Sequence, residues 1–113
     1  MQLGMVGLGR MGANMTKRLE AAGHDVKTFD PNVVSTAGSL EELAQQLDPP
    51  RSVWMMIPAA IVDTVVSELA PHLENGDTII DGGNSYYVDD LRRSAEGRAM
   101  SLDEAADYAL SSA

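Results

Sequence analysis

The feature that most constrains the fold is a set of three glycines between an apolar stretch and an amphipathic one. Gly7, Gly9 and Gly12 follow the pattern G-x-G-x-x-G. The residues before them, 1–6, form a short apolar run that is typical of a strand buried on both faces. Apolar residues then recur at helical spacing: Met11, Met15, Leu19 and Ala22. The pattern therefore predicts a strand, a tight glycine turn and a helix in direct succession.

The rest of the chain extends this unit into an α/β domain. Gly23 is a predicted helix stop, and residues 24–29 return to extended character before Asp30. Two later apolar runs, 52–57 and 78–81, predict further strands. A helical signal precedes each run. Before 52–57, Ser39 is a predicted N-cap and Leu40, Leu43 and Leu47 form an apolar stripe; before 78–81, Ile61, Val65, Leu69 and Leu73 recur at helical spacing. We expect a Rossmann-type, doubly wound sheet with four main parallel strands and helices on both faces.

The length of 113 residues fits one small domain. We assign residues 1–93 to it and expect 94–113 to form a helical tail, because the periodic signal weakens after Arg93. An open sheet of this size leaves apolar surface uncovered, which is compatible with a homodimer.

The glycine turn has the properties of a phosphate site. Gly7 permits the sharp turn, Gly9 lets backbone approach a pyrophosphate, and Gly12 lets the helix pack close to the strand. The free N–H groups of the helix start favour an anion there, so we include Leu8, Arg10 and Met11 among the candidate contacts. A tight turn without a ligand is the alternative.

Asp30 lies 18 positions after Gly12, at the end of the predicted second strand. A carboxylate at this place can accept hydrogen bonds from both hydroxyls of an adenosine ribose, and it repels a 2′-phosphate. Since residues 31–38 contain no Lys or Arg, we predict NAD as the cofactor rather than NADP. The alternative is that Asp30 caps a turn beside Pro31.

Residues 81–85 follow the last predicted strand, where ligands bind in open α/β sheets. The Asn84 amide offers both a donor and an acceptor for a carboxamide or a sugar hydroxyl. Alternatively, Asn84 and Ser85 cap a following helix. The spacing leaves both interpretations open.

Charge and composition exclude several classes of function. The net charge of −9 opposes binding to nucleic acids and to anionic membrane surfaces. The chain has no Cys and no apolar run of transmembrane length, so we expect a cytoplasmic protein. His24 and His72 have no ligand-type neighbours at metal-site spacing, and we predict no metal.

Residues 1–93 resemble the N-terminal coenzyme domain of decarboxylating 6-phosphogluconate dehydrogenase. The resemblance rests on GMVGLGRMGANM at 4–15, SLEEL at 39–43, DGGNSYY at 81–87 and the pair Arg92–Arg93. The related β-hydroxyacid dehydrogenases share the first segment but usually lack the Gly-Gly-Asn-Ser stretch. The family converts 6-phosphogluconate to ribulose 5-phosphate in the pentose phosphate pathway, by oxidation at C3 and loss of CO2.

The resemblance implies roles for particular residues. Residues 7–12 would line the pyrophosphate, and Asp30 would meet the adenosine ribose. Ile57, Pro58 and Ala59 match a loop that lies along the cofactor. Asn84 matches an asparagine that touches both cofactor and substrate.

The chain also departs from the family pattern. The proton-shuttling lysine and its acid partner of the family lie beyond residue 113, so we expect this chain alone to be inactive. The family also places an extra helix and a short strand between the positions of Asp30 and Ser39, for which this chain has no room.

Three interpretations follow. The chain is the coenzyme domain of such an oxidoreductase, meeting 6-phosphogluconate only in a larger assembly. Alternatively, it is a non-catalytic NAD-binding or sensing module with 94–113 as a partner-facing helix. In the third interpretation it is a folded remnant whose shortened loop spoils the adenine pocket.

Overall fold

The computed structural model describes residues 1–81 and 84–88. Its elements follow in chain order: β1 (Gln2–Val6), α1 (Arg10–Ala21), β2 (Asp25–Phe29), α2 (Leu40–Gln46), β3 (Ser52–Met55), α3 (Ala59–Leu69), a 3₁₀ turn (Ala70–His72), β4 (Thr78–Asp81) and β5 (Asn84–Tyr87).

The strands form one sheet in the order β2-β1-β3-β4-β5. The first four strands are parallel to one another, and only β5 is antiparallel to its neighbour β4. Strand β1 has β2 on one side and β3 on the other, so the chain winds away from β1 in both directions. The predicted doubly wound α/β class with four parallel strands is confirmed.

Helices cover both faces of the sheet, which explains why the inner strands β1 and β3 are mostly apolar. On one face, Leu3, Met5 and Val26 pack with Met15 and Leu19 of α1. A larger cluster covers the other face, with members from the strands, α2, α3 and the segments near them. It includes Val6, Leu43, Leu47, Val53, Met55, Leu69, Leu73, Ile79 and Val88. The two clusters anchor the strands and fix the positions of the loops at their ends.

Local signals set the helix boundaries. The Ser39 hydroxyl accepts a hydrogen bond from the Glu42 N–H at 3.1 Å, so the predicted N-cap of α2 is confirmed. Helix α3 ends at Leu69, where the sequence predicted one periodic stretch running to Leu73. Pro71 lacks an N–H, and the chain there tightens into the 3₁₀ turn.

The outer edge of β2 is covered by residues 35–37, which we call the edge clasp. The Thr28 N–H donates to Thr36 Oγ1 at 2.7 Å, and the Ala37 N–H donates to the Thr28 carbonyl at 2.9 Å. The Asp30 N–H donates to Ser35 Oγ at 3.3 Å. Side-chain hydroxyls and one backbone group therefore take the place of a neighbouring strand.

The end of the sheet differs from the sequence interpretation. Asn84 and Ser85 lie in β5, opposite Asp81 and Ile80, so the interpretation that they cap a helix is wrong. Pairing with β4 satisfies their backbone instead. The domain boundary at residue 93 and the tail 94–113 lie outside the described residues. In the described ranges, no helix combines the length and the hydropathy that a bilayer span requires.

Candidate functional site

The candidate site lies where the winding direction of the sheet reverses. The segments that leave the carboxyl ends of β1 and β3 diverge to opposite faces, because β1 continues into α1 and β3 into α3. In open α/β sheets a crevice opens at this point. The glycine turn borders it on one side and residues 56–58 on the other.

Two of the three glycines lie so close to neighbouring backbone that a side chain would not fit there. Gly7 has φ of 96°, and a Cβ there would overlap the Met56 carbonyl oxygen. A Cβ on Gly12 would overlap the Gly7 carbonyl oxygen, so the helix can sit this close only without a side chain. A Cβ on Gly9, in contrast, would meet nothing within 4 Å. The space in front of Gly9 is therefore open for a ligand.

The N-terminus of α1 points into this open space without a protein partner. Its N-cap residue is Gly9, which has no side chain to accept from the helix N–H groups. Within the described part of the chain no other side chain caps the helix, and its first turn contains no acidic residue. The first helical hydrogen bond is donated by the Ala13 N–H to the Gly9 carbonyl at 2.8 Å. The earlier N–H groups and the positive end of the helix dipole favour an anion here.

Asp30 braces the glycine turn. Its Oδ2 accepts a hydrogen bond from the Leu8 N–H at 2.7 Å, and its Oδ1 accepts from the Asn32 N–H at 2.8 Å. The second bond is an Asx turn, which is the turn-capping role weighed as an alternative. Each carboxylate oxygen can accept more than one hydrogen bond, so capping leaves acceptor capacity for ribose hydroxyls.

A cleft of about 470 Å³, the β2-side cleft, opens between the end of β2 and helix α3. Its polar wall contains Asp30 and Asn32. Its apolar wall is formed mainly by side chains from the β3–α3 segment and α3 itself: Met56, Ile57, Pro58, Ile61 and Val65. Glu68 lies on the same helix and also lines it. The cleft has the size and the mixed lining of a small-molecule site.

A second cleft of about 450 Å³, the β4-side cleft, opens on the other side of the glycine turn. It is lined by the start of α1 and by the ends of β3 and β4: Arg10, Met11, Gly12, Met55 and Asp81. Both clefts share Gly9, Met56, Ile57 and Pro58. The two clefts therefore adjoin each other beside Gly9 at the N-terminus of α1, and we refer to them together as the groove.

Most candidate residues from the sequence come together in this groove. Their positions are as follows: Gly7, Gly9, Asp30, Ile57 and Pro58 line the β2-side cleft, and Arg10, Met11 and Gly12 line the β4-side cleft. Leu8 contributes its N–H to Asp30. Ala59, the exposed first residue of α3, is not among the lining residues of either cleft. Asn84 opens β5 opposite Asp81.

Sequence reasoning missed the contribution of α3. Ile61 and Val65 belong to the periodic series that was interpreted only as a helix signal, and Ile61 is 45% exposed. Both line the β2-side cleft together with Glu68. The spacing 61, 65, 68 places these side chains on one helix face, which is the signal that could have identified them.

Lys27, whose direction the sequence leaves open, pairs with Asp25 at 3.4 Å. Asp25 begins β2, whereas Asp30 follows its end, so this cation lies away from the Asp30 carboxylate. No group of three or more His, Cys, Asp or Glu side chains suitable for a metal occurs within residues 1–81 and 84–88.

Comparison with known proteins gives a consistent family assignment. The sequence profile described as the NAD binding domain of 6-phosphogluconate dehydrogenase matches residues 2–105, beyond the boundary predicted at residue 93. An NAD(+)-dependent decarboxylating 6-phosphogluconate dehydrogenase of Haloferax volcanii is 37% identical over 114 residues, covering 91% of this chain and 38% of the relative.

Two enzymes of Bacillus subtilis are similar to nearly the same extent. The NADP(+)-dependent 6-phosphogluconate dehydrogenase is 37% identical, over 84% of this chain and 24% of the relative. The NAD(+)-dependent one is 36% identical, over 80% of this chain and 23% of the relative. This chain thus spans between about a quarter and two fifths of the length of these relatives.

The Haloferax alignment also contains positions at which this chain has no residue. It extends over 114 positions, more than the 91% of the 113 residues of this chain that take part. The relative therefore carries residues within the aligned region that this chain lacks.

Proposed function

The chain belongs to the family of NAD-binding domains of 6-phosphogluconate dehydrogenase, and from this premise we propose that its groove binds NAD in preference to NADP. The observation that carries the proposal is the uncapped N-terminus of α1 at the point where two clefts meet. A dinucleotide is two nucleosides joined by a pyrophosphate. Two clefts that adjoin at an anion site match that layout.

The lining of each cleft supports an assignment of the two halves. Asp30 lines the β2-side cleft, and a carboxylate suits the hydroxyls of the adenosine ribose. The nicotinamide half then occupies the β4-side cleft, beside Met11 and Pro58. We propose that Asn84, the first residue of β5, contacts the nicotinamide and the substrate.

The negative charge of Asp30 favours NAD over NADP. A 2′-phosphate on the adenosine ribose would lie beside the Asp30 carboxylate, and the repulsion favours NAD by roughly tenfold or more. Residues 31–38 offer no Lys or Arg to neutralise it, and Lys27 is paired with Asp25. Relatives named for NADP(+) and for NAD(+) are about equally similar to this chain, so similarity does not favour either cofactor. The proposed preference rests on Asp30 and on the lack of a cation in residues 31–38.

In a complete enzyme the chain would hold the cofactor for the oxidative decarboxylation of 6-phosphogluconate. The nicotinamide accepts the hydride, while the protein supplies position and electrostatics. Here the α1 N-terminus fixes the pyrophosphate and Asp30 the ribose. This chain spans 38% or less of the relatives compared above, so the turnover of 6-phosphogluconate is proposed for a complete enzyme.

Calorimetric titration of the purified chain with NADH and with NADPH tests the proposal. We expect NADH to bind at least tenfold more tightly than NADPH. Gly9→Val is the matched control, because the added side chain enters space that is open in the protein but is required by the pyrophosphate. This variant should still melt cooperatively, at a slightly lower temperature because Val is a poorer N-cap than Gly, and lose the binding heat.

Two results would contradict the proposal in different ways. An absence of heat from a chain that melts cooperatively would reject cofactor binding. Tighter binding of NADPH would reject the role of Asp30 in cofactor choice and leave the groove assignment intact.

A further inference from the structure

Helix α3 presents an unusual face to the β2-side cleft. Ile61, Val65 and Glu68 have spacings of four and three residues, so they lie one above another on the helix surface. Ile61 is 45% exposed, although it is a large apolar residue. Val65 is partly buried and packs against the core. The cleft thus has an apolar wall that ends in a carboxylate.

The wall has the dimensions of a purine. From Ile61 to Glu68 the helix rises by about 10 Å, which allows a flat ring system to lie on two apolar side chains and reach a third residue. The ring faces of adenine are apolar, and its edge carries a donor, the exocyclic amino group. Glu68 makes no hydrogen bond or ion pair with any residue in the described ranges, so its carboxylate oxygens can accept.

We infer that Glu68 selects adenine by accepting a hydrogen bond from its exocyclic amino group, while Ile61 and Val65 hold the ring. This inference rests on the proposed binding of NAD, in which Asp30 holds the adenosine ribose. The base then extends from the ribose along α3. A purine with a carbonyl in place of the amino group would direct an oxygen at a carboxylate, and the two acceptors repel each other.

The shortened segment after Asp30 makes this role of α3 more important. Residues 31–38 form a short turn and the edge clasp, and only Pro31 and Asn32 of this segment line the cleft. The side chains that can recognise a base edge there are therefore few. Glu68 is the acidic residue that α3 supplies to the cleft.

The test uses two reduced dinucleotides that differ only in the base edge, NADH and nicotinamide hypoxanthine dinucleotide. Their dissociation constants are measured by calorimetry for the unmodified chain and for Glu68→Gln. We expect the unmodified chain to prefer NADH by about tenfold, a modest ratio because Glu68 is exposed to solvent. In Glu68→Gln the ratio should fall to about twofold, since an amide can donate to the hypoxanthine carbonyl.

Glu41→Gln is the matched control. Glu41 is an exposed residue of the first turn of α2 outside the cleft lining, so this change removes the same charge elsewhere and should leave the ratio near tenfold. If NADH binds but Glu68→Gln keeps the ratio of the unmodified chain, Glu68 does not read the base and the inference is wrong. If neither dinucleotide binds the unmodified chain, the proposed function fails and the inference fails with it.

Discussion

The two ends of the parallel sheet differ in whether their polar groups have partners within the protein. At the amino end, Asp77 is fully buried and accepts hydrogen bonds from the Arg51 backbone N–H, from Arg51 Nη1 at 3.0 Å and from the Glu74 N–H at 2.7 Å. Arg51 Nε in turn donates to the carbonyls of Ala44 and Leu47 at the end of α2. At the carboxyl end, the N-terminus of α1 has no cap within the described residues.

The difference separates stability from binding. Polar groups at the amino end satisfy one another, so this end holds α2, β3 and β4 together. Polar groups at the carboxyl end remain open, at some cost in stability, and are available to a ligand. Substitutions at the amino end should therefore lower stability and leave binding unchanged, whereas substitutions at the carboxyl end should weaken binding.

The largest expected effect on stability comes from Asp77→Ala. The change removes the buried carboxylate partner of a mostly buried guanidinium, and the exposed Glu74 carboxylate at 3.7 Å is a weak replacement. Breaking such a buried pair typically costs about 3–5 kcal/mol. Urea denaturation measures the loss. Because small domains have a stability of about 5–15 kcal/mol, Asp77→Asn serves as a gentler variant if the alanine variant does not fold. Unchanged NADH affinity per folded molecule is expected, and a weakened affinity would show that the two ends are coupled.

Gly12→Ala should have an intermediate effect on stability and a large effect on binding. Its Cβ would overlap the Gly7 carbonyl, so α1 must move away from β1 at a cost of about 1–3 kcal/mol. The displaced helix start should then lose NADH binding. Thermal melting and calorimetry on the same sample separate the two effects. A variant that melts earlier but binds normally would mean that the close packing of α1 is irrelevant to the ligand.

The smallest expected effect on stability belongs to Asp30→Ala. It removes the acceptors of the Leu8 N–H and of the exposed Asn32 N–H, at a cost of about 1 kcal/mol. It should also narrow the preference for NADH over NADPH by about tenfold. Asp30→Asn keeps one acceptor oxygen for Leu8 without the charge. It should therefore hold its melting temperature better than the alanine variant while showing the same narrowed preference. An unaltered preference in both variants would remove Asp30 from cofactor choice.

The sequence predicts the architecture because its signals there are local. The glycine pattern, the Ser39 cap and the apolar runs each act within one or two elements, and the four parallel strands follow from them. The Arg51–Asp77 pair lies outside this reasoning, since its members are 26 positions apart and no short motif links them. Strand β5 was missed for a related reason: it exists through pairing with β4, not through a pattern of its own.

The candidate site was predicted less completely than the fold. Backbone-based features such as the Gly7–Gly12 turn are visible in the sequence, because only glycine meets their steric demands. Binding surfaces made of apolar side chains are not visible in the sequence, since Ile and Val occur at positions such as 61 and 65 whether they face a core or a ligand. The sequence gives the helix periodicity but not the direction in which each face points.

The edge clasp has a consequence for self-association. An exposed edge strand is a template on which another chain can pair, and β2 lies at such an edge. In this protein the outward N–H and C=O of Thr28 already bond Thr36 and Ala37, so a second chain would have to displace these bonds before adding a strand. A net charge of −9 adds repulsion between copies. A sheet can thus have an edge strand that resists aggregation, when hydroxyl and backbone groups of the next segment already occupy the hydrogen-bonding positions that a second chain would need.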